Sequence, residues 1–191
     1  MVPELKEFTA VDAASFRTVM GVVCSQVVIA TTLVDGMPHG TTITAFASLS
    51  LDPPLISVAL DERSQLLRQL RLSQRIGINL LARGQEELAV RCAGKEPDKF
   101  SSAAWSLSEG LPRIDDVAGW LACEVLQEIL LGDHVLIVAR VIAGAVSGSA
   151  QAPLVYAGRA FGTHSDWLGR SPGQDQPLPY EPLDRWANWT N

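Results

Sequence analysis

Residues 35–60 read DGMPHGTTITAFASLSLDPPLISVAL. Asp35-Gly36 is a turn dipeptide, and Pro38 and Gly40 keep the following residues in a tight turn. From Thr41 the chain alternates with the period of a strand. Thr42, Thr44, Phe46, Ser48 and Ser50 fall on one face; Thr41, Ile43, Ala45, Ala47, Leu49 and Leu51 fall on the other. The first face carries small hydroxyls where an ordinary half-buried strand carries long charged side chains. Short hydroxyl residues let a ligand approach the backbone while they donate and accept hydrogen bonds. Alternation alone is equally compatible with a Thr/Ser-rich edge strand that binds nothing. Asp52-Pro53-Pro54 stops the strand, and a second apolar run spans Leu55 to Leu60.

Working outward, Asp12 is a helix N-cap for residues 13–20, where Phe16, Val19 and Met20 recur at helical spacing and Gly21 ends the element. Val22 to Leu33 is apolar and β-branched, and it pairs with the 41–51 strand as a hairpin around residues 35–40. Ser64 caps a helix through Ser73 with Leu66, Leu67 and Leu70 inward and Arg68 and Arg71 on a solvated face. Residues 76–81 form a strand holding Asn79, a polar side chain that faces water or bonds something specific. A helix over 85–92 ends at Ala93-Gly94, and Gly-Leu-Pro at 110–112 is a break. Residues 118–131 and 135–145 are a long hairpin turning at Gly132-Asp133-His134; a small-residue loop covers 143–152, and 154–157 is the last strand. Short strands joined by hairpins, with few helices, describe an antiparallel barrel with peripheral helices and not a βαβ sheet.

Composition narrows the function. The chain has 191 residues, a net charge of −6 and no basic run, so bulk nucleic-acid binding is excluded. An anionic ligand must then be held by local donors and a few cations. No GxGxxG follows a strand, no HExxH or GxSxG occurs, and the three histidines are far apart, so no metal site is expected. Cys24, Cys92 and Cys123 read as reduced packing residues of a cytoplasmic protein. No apolar stretch suits a membrane helix.

The run Gly40 to Leu55, GTTITAFASLSLDPPL, closely resembles the flavin-binding segment of the short-chain flavin reductases. These are the small reductase components of two-component flavin monooxygenases, built on the FMN-binding split barrel. Phe16-Arg17, Met20-Gly21, Ala30-Thr31-Thr32, Gly132-Asp133-His134 and Gly158-Arg159 resemble the same family in the same order, so the likeness spans Ala14 to Gly162. It implies a mainly β, Greek-key-like antiparallel split β-barrel with peripheral helices over residues 1–164. Residues 165–191 then form a Pro- and Trp-containing tail, expected to pack on the barrel or on a second subunit.

The resemblance also implies an activity, hydride transfer from NADH (or NADPH) to FAD or FMN. The reduced flavin diffuses to a partner monooxygenase, and the reductase is a cytoplasmic homodimer. Hydride transfer asks little of side chains beyond stacking the two rings and hydrogen-bonding the flavin. The flavin contacts implied are Thr31 or Thr32, then Thr42, Thr44, Ala45, Ser48 and Ser50 along the strand, and Asn79. Ala93, Gly94 and Lys99 (with Lys95) lie in a loop that resembles the one closing over the cofactor. His134 is placed near the nicotinamide and is the one catalytic candidate, with Asp133 orienting it; Tyr156 and Arg159 are further NAD(P)H candidates, and His39 and His164 read as loop residues. The absence of an arginine cluster for a ribose 2′-phosphate favours NADH. A flavin-binding barrel without turnover and an oxidase with tightly held flavin are the alternatives.

Overall fold

The computed structural model describes residues 11–95, 98–101, 103–147 and 151–163. The alternation of residues 41–51 is interrupted at Thr44 and Ala45, so the one expected strand is two. Among the described residues the chain runs α1 (Ala13–Met20), β1 (Ser25–Gln26), β2 (Val28–Val34), β3 (Met37–Ile43), β4 (Phe46–Leu51), β5 (Pro54–Asp61), α2 (Gln65–Ser73) and β6 (Arg75–Leu80). It continues α3 (Glu86–Ala93), β7 (Trp105–Ser108), β8 (Leu111–Ile114), β9 (Gly119–Leu131), β10 (His134–Val146), β11 (Val155–Ala157) and β12 (Ala160–Gly162). Seven strands form one antiparallel sheet in the order β3-β2-β6-β9-β10-β5-β4.

The two strands on either side of Thr44-Ala45 are therefore the two edges of that sheet. Laid flat, its six inter-strand steps would separate the edges by about 29 Å. Three Cα–Cα steps from Ile43 to Phe46 reach at most about 11 Å. The sheet must curl until its edges meet, and it becomes a barrel. Among the described residues no strand pairing joins β3 to β4, so the barrel stays split along this seam. The link is held in place by the Ala59 N–H, which donates to Ala45 O at 3.0 Å.

Curling gives the sheet an inside and an outside, and much of it is buried on both. Ile56, Val58 and Leu60 of β5, Ile76 and Ile78 of β6, and Val135, Ile137 and Ala139 of β10 point inward at alternate positions. Leu66, Leu67 and Leu70 of α2 pack into the same cluster. Outside, Ile29, Trp120 and Ala122 pack under α3 and the β7–β8 hairpin through Ala89, Cys92, Leu111 and Ile114. Double coverage explains why residues 27–32 are completely buried and why that stretch lacks alternation. Helix α1 is placed as expected, with Asp12 Oδ1 accepting from the Ser15 N–H at 2.7 Å, yet it buries none of its residues.

Several expectations shift. The β2–β3 turn is only Asp35-Gly36, both left-handed at φ 51° and 75°, and Met37–Gly40 is already strand, its Pro38 tolerated on an edge. The first strand breaks at Val27, whose N–H donates to Leu154 O while its carbonyl accepts from Leu81 N–H. Gly110 closes a hairpin, β7–β8, that its four-residue strands hid. β10 runs on to Val146, and β12 adds a strand. Cys92 and Cys123 are buried as expected, burial pushing their thiols up to about 11 and about 12, whereas Cys24 is exposed. Residues 165–191 and His164 lie outside the described residues.

The packing assignment is testable within one helix. Leu67→Ala removes a fully buried side chain and is expected to lower unfolding free energy by about 3 kcal/mol. Leu72→Ala, at a side chain 71% exposed, is expected to stay within about 0.5 kcal/mol. Urea midpoints at unchanged slope give both values.

Candidate flavin groove

The curled edge leaves a groove. A cavity of about 330 Å³ runs along Thr41–Ala45 at the seam and is bounded by Ala59, Asp61, Ser64 and His134. A second, of about 650 Å³, lies between the β3 edge at His39–Thr41, the start of α2 at Arg63–Arg68, and Ala93–Lys95 at the end of α3. Thr41, Asp61 and Ser64 line both, so the two spaces adjoin at these residues as the two ends of one groove face.

Its ends differ chemically. The small end is walled mainly by short side chains and backbone, with Asp61 its one carboxylate, His134 beside it, and no lysine or arginine. His134 opens β10 directly opposite Asp61 on β5. Its Nδ1 lies 2.7 Å from Asp133 Oδ1, which leaves Nε2 for another partner. The hydrogen bond to His134, then its charge, draws the Asp133 carboxyl below its usual range. The large end carries Arg63, Arg68, Lys95 and Lys99 against the single carboxylate Asp61. Asp61 is already engaged: it accepts from Arg63 Nε at 3.2 Å, Arg63 Nη2 at 3.1 Å and the Arg63 N–H at 2.7 Å. These bonds hold its pKa at about 2. The pairing is complete above the ordinary value of 3.8 and is lost only as pH falls through about 2. Arg68 and Lys95 are exposed and form no ion pair among the described residues, so the large end is electropositive although the chain is acidic.

The structure sorts the residues expected to bind. Thr44 and Ala45 line the small end, and Ala93, Gly94 and Lys99 the large end. Thr42 borders the small end, but its hydroxyl donates to Ala89 O of α3 at 2.6 Å. Thr31, Thr32 and Asn79 lie away from the groove: each is 0% exposed and its polar atoms are used internally. Thr31 Oγ1 donates to Pro112 O, and Thr32 Oγ1 meets Ser73 Oγ and Arg75 O. Asn79 donates to Ile29 O and accepts from the Ile114 N–H at 2.8 Å, tying the β7–β8 hairpin to the sheet.

Ser48 and Ser50 sit farther along β4, opposite Ile56 and Leu55, and line neither cavity. Tyr156 belongs to a separate β1-β11-β12 sheet, where it stacks edge-on against Phe161 at 5.2 Å, and Arg159 lies in the turn between β11 and β12. Gln26 donates to Leu81 O and faces a different, apolar cavity of about 430 Å³. Residues that sequence reasoning passed over are His39, Thr41, Asp61, Arg63, Ser64 and Arg68. Only the curl brings 61–68 beside 39–41, and no periodicity signals that.

The flavin reductase-like domain model matches residues 20–165. The chain belongs to the flavin reductase-like family. A reductase subunit of a flavin-dependent monooxygenase from Mycobacterium tuberculosis is 32% identical to this flavin reductase homologue over 168 residues, 87% of each chain. An NADH-dependent flavin reductase of Pseudomonas fluorescens is 32% identical over 156 residues, 80% of this chain and 91% of the relative. Among solved structures, an NADH:FAD oxidoreductase of Streptomyces globisporus superposes with a TM-score of 0.80 at 26% identity, covering 86% of this chain and all of the other. These neighbours are flavin reductases, in agreement with the split barrel described above.

Asn79→Ala separates scaffold from site. It strands the Ile114 N–H and is expected to cost about 2 kcal/mol of stability in urea unfolding. Flavin affinity by fluorescence quenching is expected to stay within about twofold, since Asn79 is shielded from the groove.

Proposed function

We propose that this chain is an NADH-dependent flavin reductase that uses FAD and supplies the reduced flavin to a monooxygenase partner. The observation that carries the reading is the two-ended groove at the seam, hydroxyl-lined with one arginine-paired carboxylate at one end and cationic at the other. An isoalloxazine with a phosphate-bearing tail has that same division. The relatives named above supply the reaction class: the nicotinamide hydride passes to the flavin ring.

The chain's residues position these substrates. Thr41 to Ala45 present short side chains and edge backbone groups against which a flat ring can lie. Backbone at Gly94 with Arg68 and Lys95 receives the phosphates, and Arg63 masks the one carboxylate that would repel them. The large end, about 650 Å³, exceeds what one phosphate needs, which favours FAD over FMN. His134 Nε2 is the group available to orient the nicotinamide carboxamide. Because the flavin must leave, its affinity is modest, about −8 kcal/mol for a micromolar Kd.

A homodimer belongs to the same reading. α1 exposes Phe16, Val19 and Met20 and buries none of its residues, a stripe that a second copy would cover. Reduced flavin passes to the oxygenase by diffusion, in the cytoplasm where NADH is regenerated.

NADH oxidation followed by absorbance, with and without FAD, FMN or NADPH substitution, tests the proposal. Turnover is expected only with added flavin, with a lower KM for FAD than for FMN. Absence of turnover with either flavin and either nicotinamide would leave a non-catalytic flavin-binding barrel as the account. His134→Ala is expected to lower kcat/KM for NADH about tenfold, or about 1.4 kcal/mol, with the flavin KM little changed. An unchanged NADH profile would remove His134 from the site.

A further inference from the structure

Lys99 lines the cationic end of the groove, but its ammonium is not free. Nζ donates to Cys92 O at 2.9 Å and to Gly40 O at 3.2 Å. Cys92 lies in the last turn of α3, where carbonyls lack helical partners and carry the negative end of the helix dipole. Gly40 lies on the β3 edge, across the groove wall. One side chain therefore ties the end of α3 to the seam.

Neighbouring groups reinforce the tie. The Thr41 hydroxyl reaches Cys92 O at 3.5 Å, and the Thr42 hydroxyl donates to Ala89 O one turn earlier. Phe100, only 6% exposed, packs so closely on Gly40 that a Cβ there would fall 2.7 Å from its ring. Partial burial lowers the Lys99 pKa, as expected for an enclosed ammonium and not for a side chain reaching into solvent.

We propose that Lys99 is a positioning residue, a clasp that fixes the α3 end and the Ala93–Lys95 segment at the phosphate end of the groove, and not itself a flavin ligand. Two of its three N–H groups are committed to backbone carbonyls. Its charge also offsets the helix C-terminus, which would otherwise turn bare carbonyls toward an anion. This inference rests on the flavin-groove reading and deepens it.

The test compares wild type with Lys99→Met and Gly40→Ala in the full chain. Amide hydrogen exchange is followed without flavin, and FAD affinity is followed by fluorescence. In Lys99→Met, exchange in the last turn of α3 and at Gly94–Lys95 is expected to quicken at least tenfold while β6 and β9 stay protected. FAD Kd is expected to rise about tenfold. Gly40→Ala sets a Cβ 2.7 Å from the Phe100 ring and 3.0 Å from Ala30 O without touching any charge, and it is expected to produce the same pair of changes. The double variant is expected to be little worse than either single one.

Weaker FAD binding with unchanged exchange in flavin-free Lys99→Met would make Lys99 a direct ligand and overturn the proposal. Faster exchange with unchanged Kd would make the clasp purely architectural and overturn it equally. Loss of protection in β6 and β9 as well would mean general unfolding; Lys99→Gln then repeats the comparison on the same two readouts. Neither readout requires turnover, so a wild-type chain that binds FAD yet oxidises no NADH would fail the reductase reading alone.

Discussion

A chain that steps from one outermost strand of a seven-stranded sheet to the other in two residues cannot leave that sheet flat. Thr44-Ala45 imposes this closure, and the rest of the molecule accommodates it. The inward faces of β5, β6 and β10 must fill a narrow interior, which they do with branched aliphatics and the three leucines of α2. The outward faces of β2, β6 and β9 need cover, which α3 and the β7–β8 hairpin provide. Where the edges approach without pairing, backbone groups remain available, and the groove follows that line.

The same closure settles the electrostatics. Net charge is −6, so the field of the whole protein does not favour an anionic substrate. Local arrangement reverses the sign. The start of α2 brings Arg63 and Arg68 beside the β3 edge, the end of α3 brings Lys95 and Lys99, and Asp61 is neutralised by a two-pronged arginine. Lys99 and the hydroxyls of Thr41 and Thr42 satisfy helix-end carbonyls that would otherwise work against this sign.

Much of this was legible in the sequence, and what was not has a common cause. Local signals read true: Asp12 caps α1, Leu66, Leu67 and Leu70 face inward, and Gly132-Asp133 turns the long hairpin. The family was legible from GTTITAFASLSLDPPL, because that run encodes both the seam and the strands it joins. Side-chain roles were less so. Thr31, Thr32 and Asn79 are polar residues on doubly covered strands, and polarity alone does not distinguish a ligand contact from an internal hydrogen bond. Thr42 and Lys99 border the groove, but the Thr42 hydroxyl bonds α3 and the Lys99 ammonium bonds both α3 and Gly40 of β3. Arg68 read as a solvated face and is exposed, yet the curl gives that face a ligand cavity to look into.

The small end of the groove is walled largely by main chain, methyl groups and short hydroxyls. Few of its positions hold a functional group whose loss would stop chemistry outright. Replacements there alter shape by small amounts, whereas replacements at Ile78 or Leu67, remote from any substrate, remove the curvature that creates the site. What makes such a site is a bend in a sheet more than a set of reactive side chains.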